Sequence, residues 1–100
     1  MVVIYDSPPA LQNPDDIDRA LRELYPEESK RRGERGNIGT LLRIGLDGAL
    51  QEARVFRSSG YPELDDAALA VVRRMQFSPA LHQGAPREVW ITMWVAFVAI

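Results

Sequence analysis

Between Asp15 and Leu24 the apolar residues Ile17, Ala20, Leu21 and Leu24 recur at i, i+3, i+4 and i+7, a single helical stripe. Asn13-Pro14-Asp15-Asp16 opens that stripe with a helix-start signal. Asn can cap, Pro suits the first helical position, and the two carboxylates complement the positive end of the dipole. Pro26 disfavours helical geometry at Tyr25, so the spacing predicts a helix over 14–24. The period then shortens to two. Thr40, Leu42, Ile44 and Leu46 alternate with Leu41, Arg43, Gly45 and Asp47, which predicts a strand with one apolar face. Asp47-Gly48 supplies turn chemistry, and Leu50, Ala53 and Val55 carry the apolar face onto a return strand. The alternation slips by one residue between Leu50 and Ala53, which predicts a β-bulge. Ser58-Ser59-Gly60 ends the hairpin.

A second helix is predicted from Pro62, where Glu63, Asp65 and Asp66 suit the dipole, to about residue 76. Its buried stripe is Leu64, Ala68, Val71, Val72 and Met75. Phe77-Ser78-Pro79 stops it, and His82-Gln83-Gly84-Ala85-Pro86 reads as a turn. In the last segment Val89, Ile91, Met93, Val95 and Phe97 face one way; Trp90, Thr92, Trp94 and Ala96 face the other. The chain therefore reads as a leading helix, two strands, a helix and a long third strand. Pro8-Pro9 favours an extended conformation ahead of the first helix.

With 100 residues there is room for one domain and one core, and for neither a dinucleotide-binding fold with a partner domain nor a (β/α)₈ barrel. The 46% apolar content is too high for disorder. A net charge of −2 argues against a nucleic-acid surface, which needs a basic excess. The absence of cysteine excludes disulfides, thiolate metal sites and a Cys nucleophile. The basic residues between Glu27 and Arg35 are interleaved with carboxylates, so that run reads as a solvated loop or short helical turn rather than a lipid-binding patch. No apolar run approaches the roughly 18 residues of a spanning helix, and the chain is expected to be soluble as written.

Chemistry for catalysis is missing. His82 is the only histidine and sits in a turn, Ser58-Ser59-Gly60 lacks the G-x-S-x-G elbow, and adjacent Asp65-Asp66 point about 100° apart on a helix. What the pattern leaves unexplained is a sheet edge. If one row of the last strand faces the helices, Trp90 and Trp94 stand on the far side. They either pack on the N-terminal helix or on Pro8-Pro9 and Leu11, or they flank an edge offered to an extended peptide.

The set Gly39-Thr40-Leu41-Leu42, Asp47-Gly48, Val55, Ser58-Ser59-Gly60, Leu64-Asp65, Ala67-Ala68-Leu69, Phe77-Ser78-Pro79-Ala80 and Gly84 resembles the C-terminal domain of TonB-family energy transducers. Asn13-Pro14 and Leu24-Tyr25-Pro26 are similar to the segment that precedes it in some members. The resemblance implies an α+β fold: a three-stranded antiparallel sheet packed by one main helix in ββαβ order, after a short N-terminal helix. It implies an extended segment over 1–12 and a domain over 13–98. It further implies a periplasmic, non-enzymatic module without cofactor or metal. Such a module takes up the TonB box of outer-membrane transporters as an added strand. An inner-membrane motor would act through an anchored parent whose membrane helix and Pro-rich spacer are not in this chain. Carried onto this sequence, the pairing strand is Val89, Trp90, Ile91, Thr92, Met93, Trp94 and Val95, and Leu24, Tyr25 and Pro26 form the second contact segment. Related sequences often have Pro where Trp94 stands, and Pro interrupts a ladder. Trp there permits continuous pairing and equally a strand-exchanged homodimer.

Overall fold

A computed structural model describes residues 5–98. Its elements are α1 (Pro14–Leu24), α2 (Glu27–Arg31), β1 (Gly36–Ile44), β2 (Leu50–Arg57), α3 (Pro62–Val72), β3 (Ala80–His82), β4 (Ala85–Arg87) and β5 (Val89–Phe97). β2, β1 and β5 form an antiparallel three-stranded sheet in the order β2-β1-β5, so β1 is central and β5 lies at one edge. The expected architecture is present. Two small elements join it: the charged run folds in part as α2, and the turn around His82 is the tip of a separate β3-β4 hairpin.

Period-two alternation places Ile38, Thr40, Leu42 and Ile44 of β1 on the buried face, with Val89, Val95 and Phe97 of β5 beside them. The α3 residues Leu64, Ala67, Ala68, Val71 and Val72 close over that face, and Ile17 and Ala20 of α1 complete the core. Thr40 is fully buried, and its hydroxyl donates to the Met93 carbonyl at 2.6 Å, so it enters the core without an orphaned polar atom. The predicted slip between Leu50 and Ala53 is a bulge: Ile44 faces Leu50 while Arg43 faces Glu52. A second irregularity lies between Gly39, opposite Arg57, and Thr40, opposite Val55.

Two boundaries differ from expectation. β1 stops at Ile44, and Leu46, expected on the apolar face, is 61% exposed in the connecting turn. Backbone bonds from Gly45 to Ala49 and from Gly48 to Gly45 take over there, so the strand cannot continue. α3 ends at Val72 rather than near residue 76, and single turns carry the chain through Met75. Asn13 explains this: its Nδ2 donates to the Arg74 carbonyl at 2.8 Å and its Oδ1 accepts from the Gln76 amide at 2.9 Å. Asn13 makes no side-chain cap on α1. It staples the start of α1 to the end of α3 instead.

The segment before α1 is a strap. Ser7 and Leu11 bridge Leu81 and Phe77, and Ala10 accepts from the Ser78 amide at 2.9 Å. Residues 1–4 of the expected extended segment lie outside the described residues.

Candidate peptide-docking edge

The two edges of the sheet are built differently. β2 carries Glu52, Arg54 and Arg57, and its pairing with β1 is broken by two register shifts. Charges and bulges are the devices by which edges avoid pairing with other chains. β5 has neither. Its nine residues contain no charge, proline or bulge, and all nine pair with β1 in unbroken register from Gly36↔Phe97 to Ile44↔Val89. Among the described residues nothing pairs with its other side.

The side chains of that edge fall in two rows. Val89 and Val95 are buried under the helices, whereas Ile91 and Met93 between them are only half-buried. Trp90, Thr92 and Trp94 project from the opposite, helix-free face, with Trp90 45% and Trp94 56% exposed. Neither indole therefore rests on α1 or on the N-terminal segment; the strand alternation puts them on the wrong face for that. Trp94 stacks edge-on against Phe56, with ring centroids 5.5 Å apart at 74°. Phe56 reaches it across Gly39, where a Cβ would come within 2.7 Å of the phenyl ring. Trp90 has the guanidinium groups of Arg43 and Arg54 each 5.8 Å from its centre. Arg43 is in turn held by Glu52 and Glu88, at 3.6 and 3.1 Å.

The second predicted segment meets the far end of the same strand. Tyr25 is buried, packs edge-on against Phe97 with centroids 5.1 Å apart, and donates its hydroxyl to the Glu34 carbonyl. Lys30 Nζ lies 5.6 Å from the centre of its ring. Tyr25 is thus a strut between the helices and the end of β5, and Leu24 and Pro26 flank it half-buried. The structure brings this segment to Phe97 rather than to Val89–Val95. Phe97 and Lys30 were not singled out as site residues; the alternation of the last strand carries Phe97, and nothing local distinguishes Lys30 within its charged run.

The serine-rich motif is structural. The Ser59 amide and hydroxyl donate to Asp65 Oδ1 at 2.9 and 2.7 Å, and the Ser58 hydroxyl donates to Oδ2. Partial burial raises the Asp65 pKa, but the bonds from Ser58 and Ser59 outweigh it and leave the carboxyl below its ordinary range. Among the described residues no group of three or more His, Asp or Glu side chains converges on a possible metal position.

The structure defines a small α+β domain: an antiparallel three-stranded sheet covered by helices on one face, with one edge regular and uncharged. The family model for the Gram-negative bacterial TonB protein C-terminal matches residues 22–99, and the chain belongs to this family of non-enzymatic domains. It is 32% identical over 73 residues to the protein tonB2 of Pseudomonas aeruginosa, covering 73% of this chain and 27% of that protein. It is 32% identical over 65 residues to the TonB protein of Pasteurella multocida, covering 65% and 25%. The chain thus spans about a quarter of the length of these relatives. The fold is similar to the solution structure of the Pseudomonas aeruginosa TonB C-terminal domain, with a TM-score of 0.61 at 23% identity, covering 73% of this chain and 74% of that one. It is similar also to the Helicobacter pylori TonB C-terminal domain, with a TM-score of 0.60 at 23% identity, covering 84% and 78%.

Proposed function

We propose that this domain binds the TonB box of outer-membrane transporters in the periplasm by adding it as a strand along β5. In a parent anchored in the inner membrane, it passes on the pull of a motor driven by the proton-motive force. The observation that carries this reading is the contrast between the two edges, one bulged and charged, the other uncharged and regular in register. Main-chain bonds along β5 supply affinity, and alternate guest side chains meet the Trp90–Trp94 row on one face and the half-buried Ile91 and Met93 on the other. Affinity is modest, because a disordered peptide loses conformational entropy as it docks.

Titrating the labelled domain with a TonB-box peptide tests this. The largest backbone amide shifts are expected in residues 89–97, with smaller ones at 24–26. Shifts concentrated in α3 overturn the docking edge.

We infer also that the same edge pairs a second copy of the chain when no guest is present. The exposed Trp94–Phe56 pair beside an unpaired strand favours this second occupant.

A further inference from the structure

Residues 5–12 run antiparallel along 76–83, beside the β3–β4 hairpin. Leu81 pairs with Pro86 on one side and with Ser7 on the other. Its carbonyl accepts from the Asp6 and Ser7 amides at 2.9 and 3.0 Å, and its amide donates to the Ser7 carbonyl at 2.9 Å. Further along, the Ser78 amide donates to the Ala10 carbonyl at 2.9 Å, and the Ala10 amide donates to the Ser78 hydroxyl at 3.0 Å. Pro8 and Pro9 between these anchors stiffen the segment, which lowers the entropy lost on docking. Yet none of residues 5–12 is buried; Tyr5, Pro9 and Leu11 are half-buried and the rest exposed. Main-chain bonds with little apolar cover mark a segment that opens locally. Opening stops at Asn13, whose side chain is clamped to Arg74 and Gln76 and whose helix sets Ile17 and Ala20 in the core.

The hairpin in turn depends on this segment. Its strands have three residues each, and an isolated two-stranded hairpin is marginal in water. At its tip Gln83 has φ +51° and Gly84 +81°. Such a turn suits Asn or Gly at both positions, and Gln is strained there. Asp6 Oδ2 accepts the Gln83 amide at 3.0 Å and so holds the strained residue. Only Glu88 separates β4 from β5. Its carboxylate holds Arg43 at 3.1 Å, and the Arg43 guanidinium lies 5.8 Å from the centre of the Trp90 ring.

We propose that residues 5–12 are a releasable strap, which opens together with the β3–β4 hairpin while the three-stranded sheet stays folded. When docked, the strap fixes the Trp90 end of β5 through Glu88 and Arg43. Tension from the N-terminal side meets the strap before it meets α1. Release loosens one end of the docking strand, so the grip on a guest falls under load. Control of the guest rests on strand addition at β5; release of the strap does not.

Native-state hydrogen exchange of the full chain tests release. The Ser78 and Leu81 amides are expected to exchange about a hundredfold faster than the amides that pair β1 with β5, at rates that barely change in dilute urea. Ser7→Pro/Ala10→Pro removes two strap donors at exposed positions and leaves both of those amides in place. In this variant the Ser78 and Leu81 amides are expected to lose at least about tenfold in protection, and the β3–β4 ladder to follow them. The Trp90 indole N–H resonance shifts, and that of Trp94 does not. Asp6→Ala, which frees the Gln83 amide, moves the same signals in the same direction. A TonB-box peptide binds the double variant about two- to fivefold more weakly, and by reciprocity it slows Leu81 exchange in the parent sequence by a similar factor. Exchange of Ser78 and Leu81 at the rate of the β1 amides overturns release. An unmoved Trp90 resonance overturns the link to β5, and unchanged peptide affinity overturns control of the guest; both leave strand addition standing. If the peptide shifts none of residues 89–97, strand addition itself fails, and the exchange rates and the Trp90 resonance still decide the strap.

Discussion

Asp65 Oδ1 accepts the Ser59 amide at 2.9 Å, which fixes the end of β2 to the first turn of α3. The bonds from Ser58 and Ser59 favour the ionised carboxylate, so its folded pKa lies below the unfolded one. A depressed carboxylate pKa contributes stability that is fully present above the unfolded value, near 4, and is lost as pH falls through the folded value. Asp65→Asn keeps an oxygen for the Ser59 amide but removes the charge. The variant is expected to be less stable by about 1 kcal/mol at neutral pH, since the site is partly solvated. That difference should shrink as the pH approaches 3. Urea unfolding at several pH values measures it; a difference that grows on acidification contradicts the assignment.

Gly48 holds φ at +86°, and a Cβ there would lie 2.0 Å from the Phe77 carbonyl oxygen. Two penalties coincide: left-handed backbone for a substituted residue, and contact with a backbone atom that cannot rotate away. Gly48→Ala is expected to cost about 2–4 kcal/mol or to prevent folding, against a typical point-mutation cost near 1 kcal/mol. Thermal unfolding checks this, with a drop of more than about 8 °C expected in a domain of this size.

Asn13 gives a prediction that separates two roles. A conventional N-cap tolerates Asp or Ser in place of Asn, because only a side-chain acceptor is needed. Here the Asn13 amide both donates to the Arg74 carbonyl and accepts from the Gln76 amide. Asn13→Asp keeps the acceptor and sets a carboxylate oxygen against the Arg74 carbonyl. It is expected to destabilise the domain by about 1–2 kcal/mol, where the capping role predicts no loss. Denaturant midpoints of the Asp, Ser and Ala variants decide between the two.

These residues also mark what was legible in the sequence. The stripe of α1, the alternation of β5 and the bulge at Gln51 follow from local periodicity and lie where it puts them, and the alternation of β1 holds from Thr40 to Ile44. The dual role of Asn13 was not legible, because it depends on a contact 61 residues away. Leu46 reads as a continuation of its strand until the Gly45–Ala49 turn claims it. The β3-β4 hairpin and α2 are three to five residues each, too short for a period to declare itself. For the candidate site, the strand itself was legible; the burial of Tyr25 against Phe97 was not, since nothing near Pro26 fixes which end of the sheet it meets.

The undefended edge yields the last prediction. A guest strand and a second copy of the chain compete for the same row of main-chain groups on β5, so occupancy by one excludes the other. Sedimentation of the free domain is expected to show a mass that rises with concentration, and a saturating TonB-box peptide should return it to monomer. Trp94→Pro removes a backbone N–H from β5 and the indole that packs on Phe56, and both losses oppose self-pairing. That variant should sediment as a monomer at concentrations where the parent sequence associates, with circular dichroism confirming that it is folded. Trp94→Ala keeps the backbone N–H and sheds only the aromatic pair, worth about 0.5–1.5 kcal/mol. It should therefore weaken association without abolishing it. If Trp94→Ala and Trp94→Pro dissociate the dimer equally, aromatic packing rather than strand pairing holds it. If the peptide binds without dissociating the dimer, the two occupants use different surfaces, and shared use of the β5 edge is refuted.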